Sequence, residues 1–590
     1  MRKPVPKLDR KKFYASLKKH IPFIVLAFVF ILVSVVISII APDRLSDITN
    51  AITKGQATRS IDIDVVRKAS VTLIVMYAVS AITSYSANFI FTTIAQKYSE
   101  ELRNGIQNKI NRMPLRYFDS HAFGDILSIL TNDVDTLSQS LQNSLGSLFN
   151  SIFTLILVII IMFTKSWVLA LTIMASLPFM IIMMLLLVKL GMPQFRKRQK
   201  LLGDVNGIIE ENYSGQLIIK AFGAEKRINA GFEDENRKLS DAMFKADLFS
   251  GMMMPVMNFI SYAAYALVCL VGGLLLVDGK IDYGTITAFL VYVNLFQSPL
   301  AQIAQAVNSL QSGVASAARV FSFLDEEELA DETDKKPLLQ GDDHKEQVQG
   351  HVIFNHVSFG YEPNREIIHD FNADVKPGYK VAIVGPTGAG KTTMVNLLMR
   401  FYETKSGDIT IDGKSIKDMP REEIHDIFGM VLQDTWIFEG TIRENLIYNT
   451  KNVTDDQINE VLKKTDLAHY VSTLPNGLDY VITSGSAISA GERQLITIAR
   501  AMIRKAPLLI LDEATSNVDT RTEKRIQSAM DELTKGRTSF VIAHRLSTIL
   551  NANLILVMKD GNIVEQGTHE ELMKKNGFYA SLYNSQFALE

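Results

Sequence analysis

The sequence predicts two folds in series: an all-α domain of six transmembrane helices, then an α/β domain built on a phosphate-binding loop. Three observations lead there. Six long stretches without a charged residue fill the first half of the chain. A glycine-rich loop ending in Lys-Thr-Thr stands between a strand-like and a helix-like segment in the second half. A charged segment poor in apolar residues separates the two.

The spans come first. A helix needs about 20 apolar residues to cross the hydrocarbon core. Residues 21–42, 69–96, 140–164, 166–188, 250–277 and 284–310 meet that length without an Asp, Glu, Lys or Arg, and the membrane domain is expected over 1–325. The leading MRKPVPKLDRKKFYASLKKH is basic. The apolar run after it is long enough to span, and no small-residue cleavage site precedes Asp43, so it reads as a retained first span. Arg196, Lys197, Arg198 and Lys200 follow the fourth stretch, while the loops after the third and fifth are short. The positive-inside rule then puts the N-terminus and the second domain in the cytoplasm of a multi-pass membrane protein. The segments joining spans two to three and four to five extend the helices inward, with Pro114 and Pro193 as candidate breaks.

The sixth stretch has an apolar first half, then Gln297, Gln302, Gln305, Asn308 and Gln311. Its polar half either faces an aqueous cavity or continues into the cytoplasm. Spans three to five carry Met174, Met180, Met183, Met184, Met252, Met253, Met254 and Met257 near Phe179, Phe259, Tyr262 and Tyr265. Such surfaces suit varied apolar ligands, although ordinary lipid-facing or core packing is the preferred account of them. Charge-free spans argue against an ion-coupled pathway. Cys269, the single cysteine, reads as a small buried side chain. A net charge of −2 gives no reason to expect nucleic acid as a partner.

Residues 326–350 are charged and contain Pro337, and their acidic run reads as a solvated tether. From His351 to residue 590 the pattern alternates strands such as KVAIV, LLILD and SFVIAH with helical segments, as in an α/β domain with a largely parallel sheet.

The stretch GPTGAGKTT follows KVAIV and precedes TMVNLLMRF. It is the phosphate-loop pattern in the setting that pattern requires. The loop Gly385, Pro386, Thr387, Gly388, Ala389 and Gly390 wraps its backbone N–H groups, which every member but Pro386 carries, around phosphates; Lys391 reaches the outer phosphates, and Thr392 and Thr393 open the helix. Thr392 is the expected Mg²⁺ ligand. Asp512 and Glu513 end the strand LLILD. Asp512 suits Mg²⁺, and Glu513 suits a general base that polarises attacking water. His544 closes SFVIAH at the same sheet edge.

Together these residues resemble the ATP-binding cassette family, over nearly the whole chain. The most diagnostic piece is ISAGERQ, Ile488–Gln494, which is similar to the family signature usually written LSGGQ. The resemblance implies an exporter-type membrane domain and a nucleotide-binding domain that uses ATP and Mg²⁺. It implies that Tyr361 stacks on adenine, that Gln433 touches Mg²⁺ and faces the membrane domain, and that SNVD, ending at Asp519, is the D-loop. His544 becomes the switch histidine that contacts the γ-phosphate. It implies further that Ser489 and Gly491 complete an ATP site on a second half-transporter. The loops near Tyr117-Phe118-Asp119 and Ala221-Phe222-Gly223 become coupling segments.

The signature departs from the family at Ile488, Ala490 and Glu492, and TSGSA stands just upstream. This mixture resembles the catalytically competent subunit of bacterial heterodimeric multidrug exporters. The expected partner is therefore a different half-transporter, and the expected cargo an amphipathic, drug-like compound moved out of the cell through the lipid membrane. The alternatives are a lipid flippase or a peptide exporter of the same fold and, from another class, an ATP-gated channel or regulator.

Overall fold

The computed structural model describes residues 8–338, 344–362, 364–483, 488–512, 519–543 and 549–586. The chain forms two units, Met1–Asn111 with Phe123–Glu326, and Arg112–Ala122 with Glu327–Glu590.

Among the described residues the first unit holds six helices long and apolar enough to cross a membrane. The first span is Ile21–Thr58, the second Ile63–Arg112, the fifth Glu225–Val277 and the sixth Tyr283–Leu324. The third, Phe123–Lys165, contains two π-helical turns, Ile129–Asp133 and Leu141–Leu145. The fourth joins Trp167–Met174 to Ser176–Ser214. These helices overshoot the apolar stretches. The 50 residues of the second reach about 75 Å at 1.5 Å rise per residue.

Pro114 breaks the chain as expected, standing just before the short helix Leu115–Ser120. Pro193 does not, because the helix Ser176–Ser214 runs through it. Packing overrides the local preference there. An added Cβ on Gly191 would stand 3.2 Å from the Phe249 Cβ, so the fourth and fifth helices lie tightly side by side at that point. Cys269 is exposed on the fifth span rather than buried. In a membrane helix the lipid-facing surface is itself apolar, so a small apolar residue has no need of a protein core.

The first and sixth spans run antiparallel in a register fixed at the outer end. Tyr292 donates to Asp43 at 3.0 Å, and Asn50 donates to Asp282 at 2.7 Å. Phe13 meets Phe321 edge-on, with ring centroids 6.1 Å apart, at the inner end. Counting inward from Asp43 and Tyr292 at equal rise, Ile21 falls level with roughly residue 314. The polar half of the sixth span therefore lies level with the apolar run of the first and not beyond its inner end. Two of its carboxamides join helices: Gln297 is buried against Ser261 and Ser176, and Gln302 accepts from Ser151 at 3.1 Å. Gln305, Asn308 and Gln311 are exposed.

The second unit contains two main sheets. β1 (Val352–Phe359), β2 (Ile368–Val375), β4 (Ser406–Ile411) and β5 (Lys414–Ser415) form an antiparallel sheet in the order β2-β1-β4-β5. β3 (Lys380–Val384), β6 (Phe428–Val431), β9 (Leu508–Asp512), β10 (Thr538–Ile542) and β11 (Leu554–Lys559) run parallel, with β12 (Asn562–Gly567) antiparallel at one edge. The order is β12-β11-β3-β10-β9-β6, and β7 (Gly440–Thr441) pairs antiparallel with β8 (Val481–Ile482) in a small separate ribbon. The parallel strands are buried through most of their length, which is why they read as continuous apolar runs. One core, with Phe354, Phe371, Ile383, Leu398 and Phe540, joins the two sheets. A second packs Leu495, Ile496 and Ile498 of the helix Ala490–Arg504 against Leu509, Leu511 and Val541.

The acidic run after the sixth span is not a free tether. The Glu332 side chain is 13% exposed and takes Arg400 and Arg421 at 2.8 Å each. It also accepts from the Arg421 backbone N–H at 2.8 Å. Leu338 N–H donates to Glu423, and the Lys414 ammonium donates to the Leu338 carbonyl. Composition alone suggests solvation, but a carboxylate beside two arginines is stabilised where it is buried.

Candidate functional site

The site is assembled at the C-terminal ends of parallel strands, as expected for an open α/β sheet. β3 delivers the loop Gly385–Gly390, and the helix Lys391–Leu398 follows. Only glycine serves at two of its positions. An added Cβ on Gly385 would stand 2.3 Å from the Met558 carbonyl oxygen, on β11. Gly390 caps the helix with φ of 98°, a conformation that other residues resist. Thr387, Gly388 and Thr392 are exposed, whereas Ala389 and Thr393 point inward. Replacing Gly385 by alanine is therefore expected to distort the loop at about 1–3 kcal/mol. ATP titration should read this as about a ten- to hundredfold loss of affinity.

Lys391 reaches the middle of this cradle. Its ammonium donates to the Gly385 carbonyl at 2.7 Å and to that of Pro386 at 3.1 Å. Burial pushes it below the ordinary lysine value, and the negative charge of Asp512 works the other way. Asp512 ends β9, two strands from β3 in the sheet order. Gln433 is exposed two residues beyond β6, which pairs with β9 through Val431 and Leu511. Lys391, Asp512 and Gln433 thus belong to one edge of one sheet. Among the described residues no cluster of three His, Cys, Asp or Glu side chains could hold a metal alone. The donors here, one carboxylate with a hydroxyl and a carboxamide, fit a hard cation that takes its other oxygens from phosphates and water. The glycine cradle with a lysine at its centre fits the phosphates themselves.

Tyr361 stands beside the same helix. Its hydroxyl lies 3.3 Å from both the Thr393 hydroxyl and the Asn396 amide nitrogen. Its ring meets Phe359 and Tyr402 edge-on at 5.0 Å. Tyr402 is a residue that the sequence reading missed. Besides bracing Tyr361, it donates to Asp119 in the helix Leu115–Ser120. It stands four residues after the phosphate-loop helix, within RFYE, a stretch that carries no motif to single it out. The other expected coupling segment, near Phe222, is strongly exposed.

Ser489 stands at the start of the helix Ala490–Arg504. It closes a reciprocal cap: its hydroxyl accepts from Glu492 N–H, and the Glu492 carboxylate accepts from Ser489 N–H, both at 3.2 Å. Ser489 is exposed and Gly491 is buried. Asp519 caps the helix Thr520–Thr534, accepting from the N–H groups of Arg521 and Thr522 at 3.0 Å each. Those bonds, with Thr522 first, hold its carboxyl below the usual range. Glu513, His544, the segment 484–487 and residues 516–518 lie outside the described residues. Their neighbours are placed: Asp512 ends β9, and buried Ala543 follows β10.

Six membrane helices fused to a phosphate-loop domain with a capped signature helix define an ATP-driven membrane transporter, and the chain belongs to the ABC transporter family. Residues 24–300 match the family model for the ABC transporter transmembrane region, and residues 368–516 match the model for ABC transporter. It is 42% identical, over 88% of its length and 82% of the relative's, to a fatty acid ABC transporter ATP-binding/permease protein of Mycobacterium bovis. An uncharacterised ABC transporter ATP-binding protein of Bacillus subtilis is 39% identical over 87% of this chain and 84% of its own. An ATP-dependent lipid A-core flippase of Syntrophus aciditrophicus is 34% identical over 87% and 85%. The chain is an ATP-hydrolysing half-transporter that dimerises, a multi-pass membrane protein with a cytoplasmic ATPase domain.

Proposed function

We propose that this half-transporter exports amphipathic compounds of lipid-like character, coupled to ATP hydrolysis by alternating access. One observation carries the reading: the sixth span keeps exposed carboxamides at hydrocarbon depth, in spans without charge. Such a surface offers hydrogen bonds to a polar head and leaves an apolar body undisturbed. The relatives named for fatty acid and for lipid A-core favour lipid-like cargo over the drug-like cargo expected from sequence. Reconstituted with its partner half, the transporter should hydrolyse ATP faster with long-chain amphiphiles than with hydrophilic peptides. Equal rates with both would sink the reading.

In this reading Tyr361 stacks on adenine and Gly385–Thr393 wrap the phosphates. Thr392, Asp512 and Gln433 hold Mg²⁺, which supplies charge neutralisation at the phosphates when bound. Glu513 polarises the attacking water and His544 contacts the γ-phosphate. Ser489, Gly491 and the Asp519 turn complete the site across the dimer.

The partner is proposed to be a different chain. Glu492 supports this on electrostatic grounds. As a cap it serves as well as glutamine would. Its charge, however, stands at the helix N-terminus, where a phosphate would otherwise be favoured. Glu492→Gln should strengthen ATP binding at the site that this helix completes. The gain is about two- to fivefold, the size of one charge at a helix end, measured on the assembled transporter. A stable homodimer of this chain alone, with full cargo-stimulated ATPase activity, would refute the unequal pair.

A further inference from the structure

Three contacts set the third and sixth spans antiparallel along one seam. Asp133 pairs with Arg319, Ser140 donates to the Ser309 carbonyl at 2.8 Å, and Ser151 donates to Gln302 at 3.1 Å. The helices nearly touch midway, since an added Cβ on Gly313 would stand 2.3 Å from the Ser140 hydroxyl.

The residues beside this seam are polar in both helices. Gln139 and Asn150 each stand one place before a seam residue of the third span, and Asn143 one place before buried Ser144. In the sixth span Asn308 stands one place before Ser309, and Gln305 lies one turn further out. Asn294 lies on the same face about four turns above Asn308. Gln139, Asn143, Asn294, Gln305 and Asn308 are exposed, and Asn150 is half-buried. Both rows are rotated the same way from the seam. In an antiparallel pair, positions rotated the same way lie on the same side. The two rows therefore look into one space.

That space spans the membrane. By the register with the first span, the hydrocarbon zone runs along the sixth from Tyr292 to roughly residue 314. Asn294 is at its outer edge and Gln139, level with Gly313, at its inner edge. The distance is about 28.5 Å, against a core of about 30 Å. Lipid cannot satisfy such groups, and each one left unpaired there costs several kcal/mol. Lipid takes the other side of the third span instead, where Ile152, Ile156, Ile160 and Phe163 are exposed.

We propose that the third and sixth spans form a hydrogen-bonding track that carries the carboxyl head of a long-chain acid across the membrane. The proposal rests on the lipid-like cargo read above and names its head. Carboxamides both donate and accept, as a carboxylic acid does, and they also donate to a carboxylate. Residues 139–150 and 294–312 contain no Lys or Arg, so a doubly charged phosphate head finds no counter-charge there.

The test uses the full transporter, assembled with its partner half in phosphatidylcholine vesicles, in a Cys269→Ala background. Asn143→Cys and Asn308→Cys should react with a charged, membrane-impermeant thiol reagent, and Ile156→Cys should not. Palmitic acid should slow labelling of the first two about fivefold or more. In transporter with its native carboxamides, palmitic acid should stimulate ATP hydrolysis. Asn308→Leu should raise the palmitic acid concentration for half-maximal stimulation about fivefold, the size of one hydrogen bond. No labelling at either position overturns the track, because the partner half or lipid then covers it. Labelling without protection, where palmitic acid still stimulates hydrolysis, overturns the track and leaves the cargo reading standing. If no long-chain amphiphile stimulates hydrolysis, the cargo reading fails by itself.

Discussion

Glu513→Gln is expected to cut ATP turnover by about 10²–10⁴-fold while leaving ATP binding intact. A glutamine keeps the shape of the side chain and cannot take a proton from the attacking water. The groups proposed to hold ATP are elsewhere: the Gly385–Gly390 cradle, the Lys391 ammonium on its carbonyls, and Tyr361 braced by Thr393 and Asn396. Binding and turnover should therefore separate. Phosphate release measured beside binding of a fluorescent ATP analogue checks this. Unchanged turnover would move the base to another residue. Loss of both would place Glu513 in the binding cradle.

Arg400→Ala is expected to destabilise the ATPase domain by about 3 kcal/mol, at the low end for breaking a buried ion pair. Arg400 is 6% exposed and pairs with Glu332, with Glu403 at 2.9 Å, and with the Met419 carbonyl at 2.7 Å. Its loss would leave Glu332 with Arg421 and Lys335. In a domain of this size the change amounts to a fall of about 6–12 °C in Tm, readable by thermal unfolding of the full chain. The double variant Arg400→Met with Glu332→Leu should recover much of the loss, because two apolar groups replace two charges. Acid should act in the same direction as Arg400→Ala. Burial alone would raise the Glu332 carboxyl, yet the Arg421 N–H and the Arg400 charge outweigh it and hold it below the usual range. A carboxyl lowered on folding contributes above its unfolded value of about 4.3. That contribution fades as pH falls towards the folded value. A domain equally stable at pH 7 and below pH 4 would count against it.

Much of this architecture was legible because it rests on local rules. Span length is a property of sequence, and so is the run of buried residues in β3, β9 and β10. The loop at Gly385–Gly390 was legible because its steric demands admit few residues. Four things were not legible, each for a physical reason. Pro193 looked like a helix stop, but its strength as a breaker depends on neighbours that Gly191 brings close. The acidic run looked solvated, but Glu332 finds two arginines more than sixty positions away in sequence. The polar half of the sixth span had two readings, and only the register set by Tyr292 and Asp43 chose between them. Tyr402 was missed because an aromatic after the loop helix carries no motif, and its role emerges only beside Tyr361. Glu492 read from sequence as a departure. As the partner of Ser489 in a reciprocal cap, it is a conservative exchange for the helix and a non-conservative one for an anion.

The two π-helical turns of the third span have a genetic consequence. A π turn holds one more residue than the α turn it replaces, with the helix on either side kept in phase. Loss of a single codon within Ile129–Asp133 or Leu141–Leu145 would heal that turn and leave Asn150 and Ile156 on their present faces. The same loss within Gly146–Lys165 would rotate everything beyond it by about 100°. Asp133 and Asn143 apart, this span should therefore tolerate one-residue deletions at two short addresses and resist them between Gly146 and Lys165, a pattern that a deletion scan of the gene would display.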